Sequence, residues 1–287
     1  MTMRPAESMA AKMRTSKNGN LTRRSVIVGA GALVSVVTLS RPAIARNIWP
    51  NGAQAAVSLT YDDGCDSQLE NVVPLLDSMA VKATFFLTVE NMDARLPEWV
   101  AVSKRGHEIG DHTMTHPCKL TQYSTAQFAR KQIEPAENYF NTNFGGPMPR
   151  SFAYPCGLEK LGRGSDAVRM QRYRQVVQSS FFAARTVGGP PNDPHETISQ
   201  RYLLHGIAPT YDHDEPNAAL AYVERALKNG DWAILIFHEV LPARRGAGDT
   251  SEAVHKAIVE YVVQRPIWCA PMRDIFRHVA QASSVDL

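Results

Sequence analysis

The run Ala56-Val57-Ser58-Leu59-Thr60-Tyr61-Asp62-Asp63-Gly64 begins as a strand and ends in two adjacent acids and a glycine. Its small, β-branched and aromatic residues suit a buried pleated surface, and Asp-Asp-Gly is turn chemistry. The same layout repeats outward along the chain. Including 56–61, strand candidates fall at 83–88, 107–111, 151–154, 181–187, 202–207, 232–238 and 267–270. Helical periodicity occupies 69–79, 97–104, 125–141, 166–178, 218–228, 253–263 and 274–280 between and after them. Alternation of this kind predicts a parallel sheet in one α/β domain, open and doubly wound or closed into a barrel. No Gly-x-Gly-x-x-Gly follows the first strand, so dinucleotide binding has no support. The Gly and Pro clusters at 145–149 and 188–194 read as loops within the domain.

With 287 residues, 44% of them hydrophobic and 21% charged, the chain has ample material for a core. Its formal charge of +3 is unevenly placed. Residues 1–45 carry seven basic side chains against the single acid Glu7, a net of +6 that leaves −3 on the remainder. A surface that neutralises a nucleic-acid backbone needs clustered Lys and Arg in surplus, so nucleic acid is excluded as the leading partner.

Those first residues read as an export leader. Residues 25–39 are apolar and small, too short to cross a bilayer comfortably and suited to a signal-peptide core. Arg23-Arg24 stand in front and Ala43-Ile44-Ala45, a small-x-small cleavage pattern, behind. The paired arginines resemble the twin-arginine signal, with Val28 where a Lys is common. The expectation is a leader over 1–45, passage through the twin-arginine machinery, and a catalytic domain of 46–287. It would be periplasmic or secreted, with no stable membrane anchor after cleavage.

Ionisable residues gather where the predicted strands end, the end at which barrel enzymes keep their sites. Asp62 and Asp63 follow the first strand, His112 and His116 the third, and His238 closes the apolar run 233–237. Each signal has an ordinary reading: a turn, a polar surface, a satisfied histidine. Their appearance in order at successive strand ends outweighs those readings. The spacing of His112 and His116 places both on one face of a helical turn, where two imidazoles and a carboxylate can converge on one ion and leave a position open. Asp63 can be that carboxylate, freeing Asp62 to act as a base. Adjacent carboxylates repel in an apolar pocket, and a divalent cation is what allows both to ionise.

These residues resemble the polysaccharide deacetylase family, carbohydrate esterase family 4, which includes nodulation-type chitooligosaccharide deacetylases. The resemblance runs from about Val57 to Val279 on four motifs: Thr60-Tyr61-Asp62-Asp63-Gly64, His112-Thr113-Met114-Thr115-His116-Pro117, Phe152-Ala153-Tyr154-Pro155-Cys156-Gly157 and Leu235-Ile236-Phe237-His238. It implies a distorted, incomplete β/α barrel, with Asp62 as general base and His238 as general acid. Asp63, His112 and His116 would be metal ligands, and the Cys156 backbone N–H an oxyanion donor. The metal would be zinc, with cobalt, nickel and manganese as alternatives. The implied reaction removes N-acetyl groups from an N-acetylglucosamine-containing poly- or oligosaccharide. The competing readings are an ester deacetylase on a xylan-like polymer, a ring amidohydrolase of the purine-degradation type, against which the export leader argues, and a non-catalytic carbohydrate-binding protein.

Ala153 stands where the common family form has the Arg that orients the base, leaving Arg150 and Arg185 as candidates. The family's fourth motif has no recognisable counterpart in Arg185-Thr186-Val187-Gly188-Gly189, so no carboxylate is assigned to orient His238. Cys65, Cys118 and Cys156 all fall near motifs, where they read as small buried residues or as a pair such as Cys65–Cys118. Trp49, Trp99 and Tyr211 are candidates for stacking on sugar rings, with packing as the competing role.

Overall fold

The computed structural model describes residues 48–285, and the leader reading of residues 1–45 concerns residues outside that span. The first predicted strand becomes β1, Ala55–Asp63, buried at every position but the last. The others are β2 (Thr84–Leu87), β3 (Glu108–Asp111), β4 (Ser151–Ala153), β5 (Ala183–Arg185), β6 (Trp232–Phe237), β7 (Val240–Leu241), β8 (Thr250–Ser251) and β9 (Ile267–Cys269). Seven of these form one sheet, six in the order β5-β4-β3-β2-β1-β6 with β9 also paired to β1, and β7 pairs with β8 separately. One edge of β1 is shared: Ala55–Val57 pair with β9 and Thr60–Asp63 with β2, while its other edge runs along β6. Every one of these pairings is parallel, which requires crossovers and explains the long apolar runs.

The helices are α1 (Val73–Ser78), α2 (Val89–Met92), α3 (Leu96–Lys104), α4 (Thr125–Phe128), α5 (Glu134–Asn143), α6 (Asp166–Gln178), α7 (Asn217–Asn229), α8 (Glu252–Val263) and α9 (Met272–Ala282). Strand alternation assigns side chains to two sides of the curled sheet. Val57, Leu59 and Tyr61 of β1 pack outward with Leu235, Phe237, Ile258 and Val259. Ala56 of β1 and Trp232 and Ile234 of β6 pack in a second cluster with Phe86, Met272 and Phe276. Asp62, two residues along from Thr60 and four from Ser58, belongs to the face opposite Tyr61 and is 3% exposed.

The sequence predicts a strand over 202–207, the sixth of its eight, and the structure forms single bridges there instead. Leu204 pairs with Arg185 of β5, and Ile207 with Leu235 of β6. The segment changes partner within three residues, so neither ladder grows into a strand, and the ring closes irregularly. This is the distorted, incomplete (β/α) barrel expected.

Two helices predicted as continuous also differ. Gln68–Val72 and Ala129–Ile133 are π turns running directly into α1 and α5. Pro74 and Pro135 sit at the starts of α1 and α5, lack an N–H, and would clash with the carbonyl four residues earlier. The extra residue of a π turn relieves that conflict.

Candidate metal centre and active site

A regular strand would send Asp62 and Asp63 to opposite faces. Asp63 takes φ 78°, which breaks the alternation and lets both carboxylates reach the same histidine. His112 Nε2 lies 3.8 Å from Asp62 Oδ2 and 3.6 Å from Asp63 Oδ1. His116 Nε2 is also 3.6 Å from Asp63 Oδ1, and the two imidazole centroids are 4.6 Å apart. The two histidines converge as expected, but not on a helical turn. Thr113 and His116 adopt φ of 74° and 49°, so the segment is a loop folded back on itself. Glutamine from a π turn secures it: Gln132 Oε1 accepts from the Thr115 N–H and hydroxyl.

The donor set fits a cation. One ligand atom from each of Asp63, His112 and His116 lies within 4.8 Å of the others. Asp63 Oδ1 is buried without a hydrogen-bond partner, so its lone pairs are available to a cation. His112 Nδ1 is 2.8 Å from the Ala153 carbonyl. Burial, opposed by the Asp62 charge, pushes the His112 pKa down to about 4. The neutral ring therefore donates from Nδ1 to Ala153 and presents its lone pair at Nε2. Ala153, which occupies the position of the family's arginine, thus serves the site through its carbonyl.

The partner of Asp62 is Arg185. Its Nη2 donates to Asp62 Oδ1, and its guanidinium lies 4.9 Å from the Phe86 ring centre, fully buried. Burial alone would raise the Asp62 pKa; the Arg185 charge and hydrogen bond bring it below the ordinary value. Arg150, the other candidate, is instead held by Glu137 and Asn141. Gln68, from the first π turn, donates to the carbonyls of Asp62 and His238 and ties the ends of β1 and β6 together. Neither Gln68 nor Gln132 stood out in sequence; the only signal was a proline inside each helical pattern.

Asp62, Asp63, His112, His116, Cys156 and His238 line one pocket of about 820 Å³. Val187, Gly188 and Tyr211 line it too, so the stretch with no recognisable fourth motif still faces the site. Cys156 adopts φ 56° there. No side chain among the described residues hydrogen-bonds the His238 ring, and its neighbour Glu239 is engaged by Ser67. Tyr211 is 51% exposed at the rim, whereas Trp49 and Trp99 are buried and pack.

The cysteines follow neither the reading of three small buried residues nor the pairing Cys65–Cys118 offered beside it. Cys118 and Cys156 form the disulfide, with Cα atoms 5.9 Å apart, and Cys65 is free. Burial and the neighbouring acids Glu239, Asp63 and Asp62 push the Cys65 thiol far up.

Residues 50–171 match the family described as polysaccharide deacetylase. Over 108 residues the chain is 38% identical to a peptidoglycan-N-acetylglucosamine deacetylase of Bacillus cereus, covering 36% of this chain and 37% of that protein. A chitooligosaccharide deacetylase of Bradyrhizobium sp. is 30% identical over 118 residues, 40% of this chain and 52% of that one. The chain thus spans well under two thirds of either relative's length. A crystal structure from Mycobacterium smegmatis assigned as a polysaccharide deacetylase shares the fold, at 16% identity and a TM-score of 0.62 over 83% of this chain and 94% of that one.

Proposed function

From the premise that this chain carries a polysaccharide deacetylase domain, we propose that it is a metal-dependent amide hydrolase. Its substrate is an N-acetylglucosamine-containing poly- or oligosaccharide, of the peptidoglycan or chitooligosaccharide kind. The observation that carries this reading is Asp63 Oδ1, a buried and unpartnered carboxylate oxygen 3.6 Å from Nε2 of both His112 and His116.

Asp63, His112 and His116 would hold a divalent cation, zinc by preference, which supplies Lewis acidity toward water and the acetyl carbonyl. Asp62, kept ionised by Arg185, takes the proton of the attacking water. The Cys156 N–H serves as a donor to the oxygen on which charge develops, a contact whose loss typically costs about 10²- to 10³-fold. His238 gives its proton to the departing nitrogen, because an amide anion is too poor a leaving group. Tyr211, at the rim, offers a ring face to a sugar.

The test is acetate release by the full chain, with added zinc, from N-acetylglucosamine oligomers, peptidoglycan and acetylxylan, beside Asp62→Asn. Release from the amide substrates and its loss in the variant is expected. Release from acetylxylan alone would establish the ester reading, and none from any substrate with zinc bound would favour a binding protein.

We also propose that residues 1–45 direct the protein through the twin-arginine pathway to the periplasm or exterior. Replacing Arg23 and Arg24 with Lys should then retain it in the cytoplasm; unchanged fractionation would count against that route.

A further inference from the structure

We propose that reduction of the Cys118–Cys156 disulfide creates a second metal site, built from His116 Nδ1 and the two freed sulfurs, that competes with Asp63 and His112 for the His116 imidazole. The inference rests on the reading of His116 as a ligand.

Two ligand sets share this one ring. With the disulfide intact, one ligand atom from each of His116, Cys118 and Cys156 lies within 4.8 Å of the others, the two sulfurs being bonded to each other; Asp63, His112 and His116 converge within the same distance with no bond between them. The nitrogens divide between the sets: Nε2 is 3.6 Å from Asp63 Oδ1, and Nδ1 is 3.8 Å from Cys118 Sγ. A neutral imidazole has a single lone pair, its other nitrogen carrying a proton. An ion taken at Nδ1 therefore leaves Nε2 protonated and reduces the hydrolytic set to Asp63 and His112.

The chemistry of the ligands decides the direction. Thiolates are soft and suit zinc and Cu(I), and two sulfurs with one imidazole leave a fourth tetrahedral position for water. Both cysteines are exposed, so a dithiol can reach the bond from solvent. Its thiolate attacks one sulfur, the S–S bond breaks, and a mixed disulfide forms. The reductant's second thiolate then resolves that intermediate, leaving the reductant oxidised. Two electrons pass to the cysteine pair, and the two protons that they acquire are released to solvent when the sulfurs take a metal. Cys65 lies outside the set, its Sγ directed at the Asp62 carbonyl at 3.9 Å.

Cobalt(II) tests the proposal, because thiolate coordination gives it a near-ultraviolet charge-transfer band that carboxylate and imidazole do not. The full chain is compared oxidised and after dithiol treatment with anaerobic desalting, at one equivalent of cobalt. Thiols counted after denaturation should rise from two to four. The band should appear only in the reduced protein, survive Cys65→Ser and vanish in Cys118→Ser. Acetate release should fall about ten-fold or more with its appearance. Four thiols without the band, a band that survives Cys118→Ser, or a band with undiminished release would each overturn the proposal. Absence of release from the oxidised protein would instead overturn the deacetylase reading, leaving the band to decide the second site.

Discussion

Asp62 is the residue on which the chemistry and the fold place opposite demands. Burial raises its pKa, and Arg185, crossing from β5, brings it back below the ordinary carboxylate value. A carboxylate with a depressed folded pKa adds stability above its unfolded pKa, and that contribution is lost as pH falls through the folded value. Arg185→Met should therefore move the acid limb of the kcat/KM profile to higher pH. It should also destabilise the protein by roughly 3–5 kcal/mol, since a buried charge loses its partner. A pH–rate profile and a urea titration check the two parts. Sequence reasoning reached Arg185 only as one of two candidates, because which arginine crosses the barrel depends on strand order and not on spacing.

At the scale of elements, the π turns before α1 and α5 aim Gln68 and Gln132 at the loops that carry the acids and histidines. Gln132→Leu removes the acceptor from the Thr115 N–H and loosens the His116 loop, so zinc affinity should fall about 10- to 100-fold in a chelator competition. A second element-scale contact joins β1 to α8, where the Tyr61 hydroxyl and His255 Nε2 lie 2.7 Å apart in the core. Burial pushes the His255 pKa down to about 3. Unfolded, it would titrate near 6.5, so between those values the unfolded chain binds the extra proton and stability falls as pH falls. His255→Gln should flatten that decline in thermal midpoints measured from pH 7 to pH 4; an unchanged slope would mean that other groups carry it.

Across the whole molecule, the Cys118–Cys156 bond closes a loop of 38 residues between the His116 segment and the loop after β4. Chain entropy sets its contribution at about 4 kcal/mol as an upper value, so dithiol should lower the urea midpoint of the full chain and steepen the slope, because the unfolded chain is released from its cross-link. The sequence by itself determined the α/β alternation, the buried parallel strands, and the acids and histidines at the strand ends, because period, turn chemistry and residue type are local properties. Tertiary structure alone decided the rest. The segment 202–207 closes the ring by bridges because it meets two neighbours in three residues. The histidines converge through left-handed φ values rather than a helical turn. Cys118 finds Cys156 and not Cys65, and Asp62 finds Arg185 and not Arg150, because each pairing joins strand-end loops that are distant in sequence. Their proximity comes from the order of strands in the sheet, which no single stretch of sequence encodes.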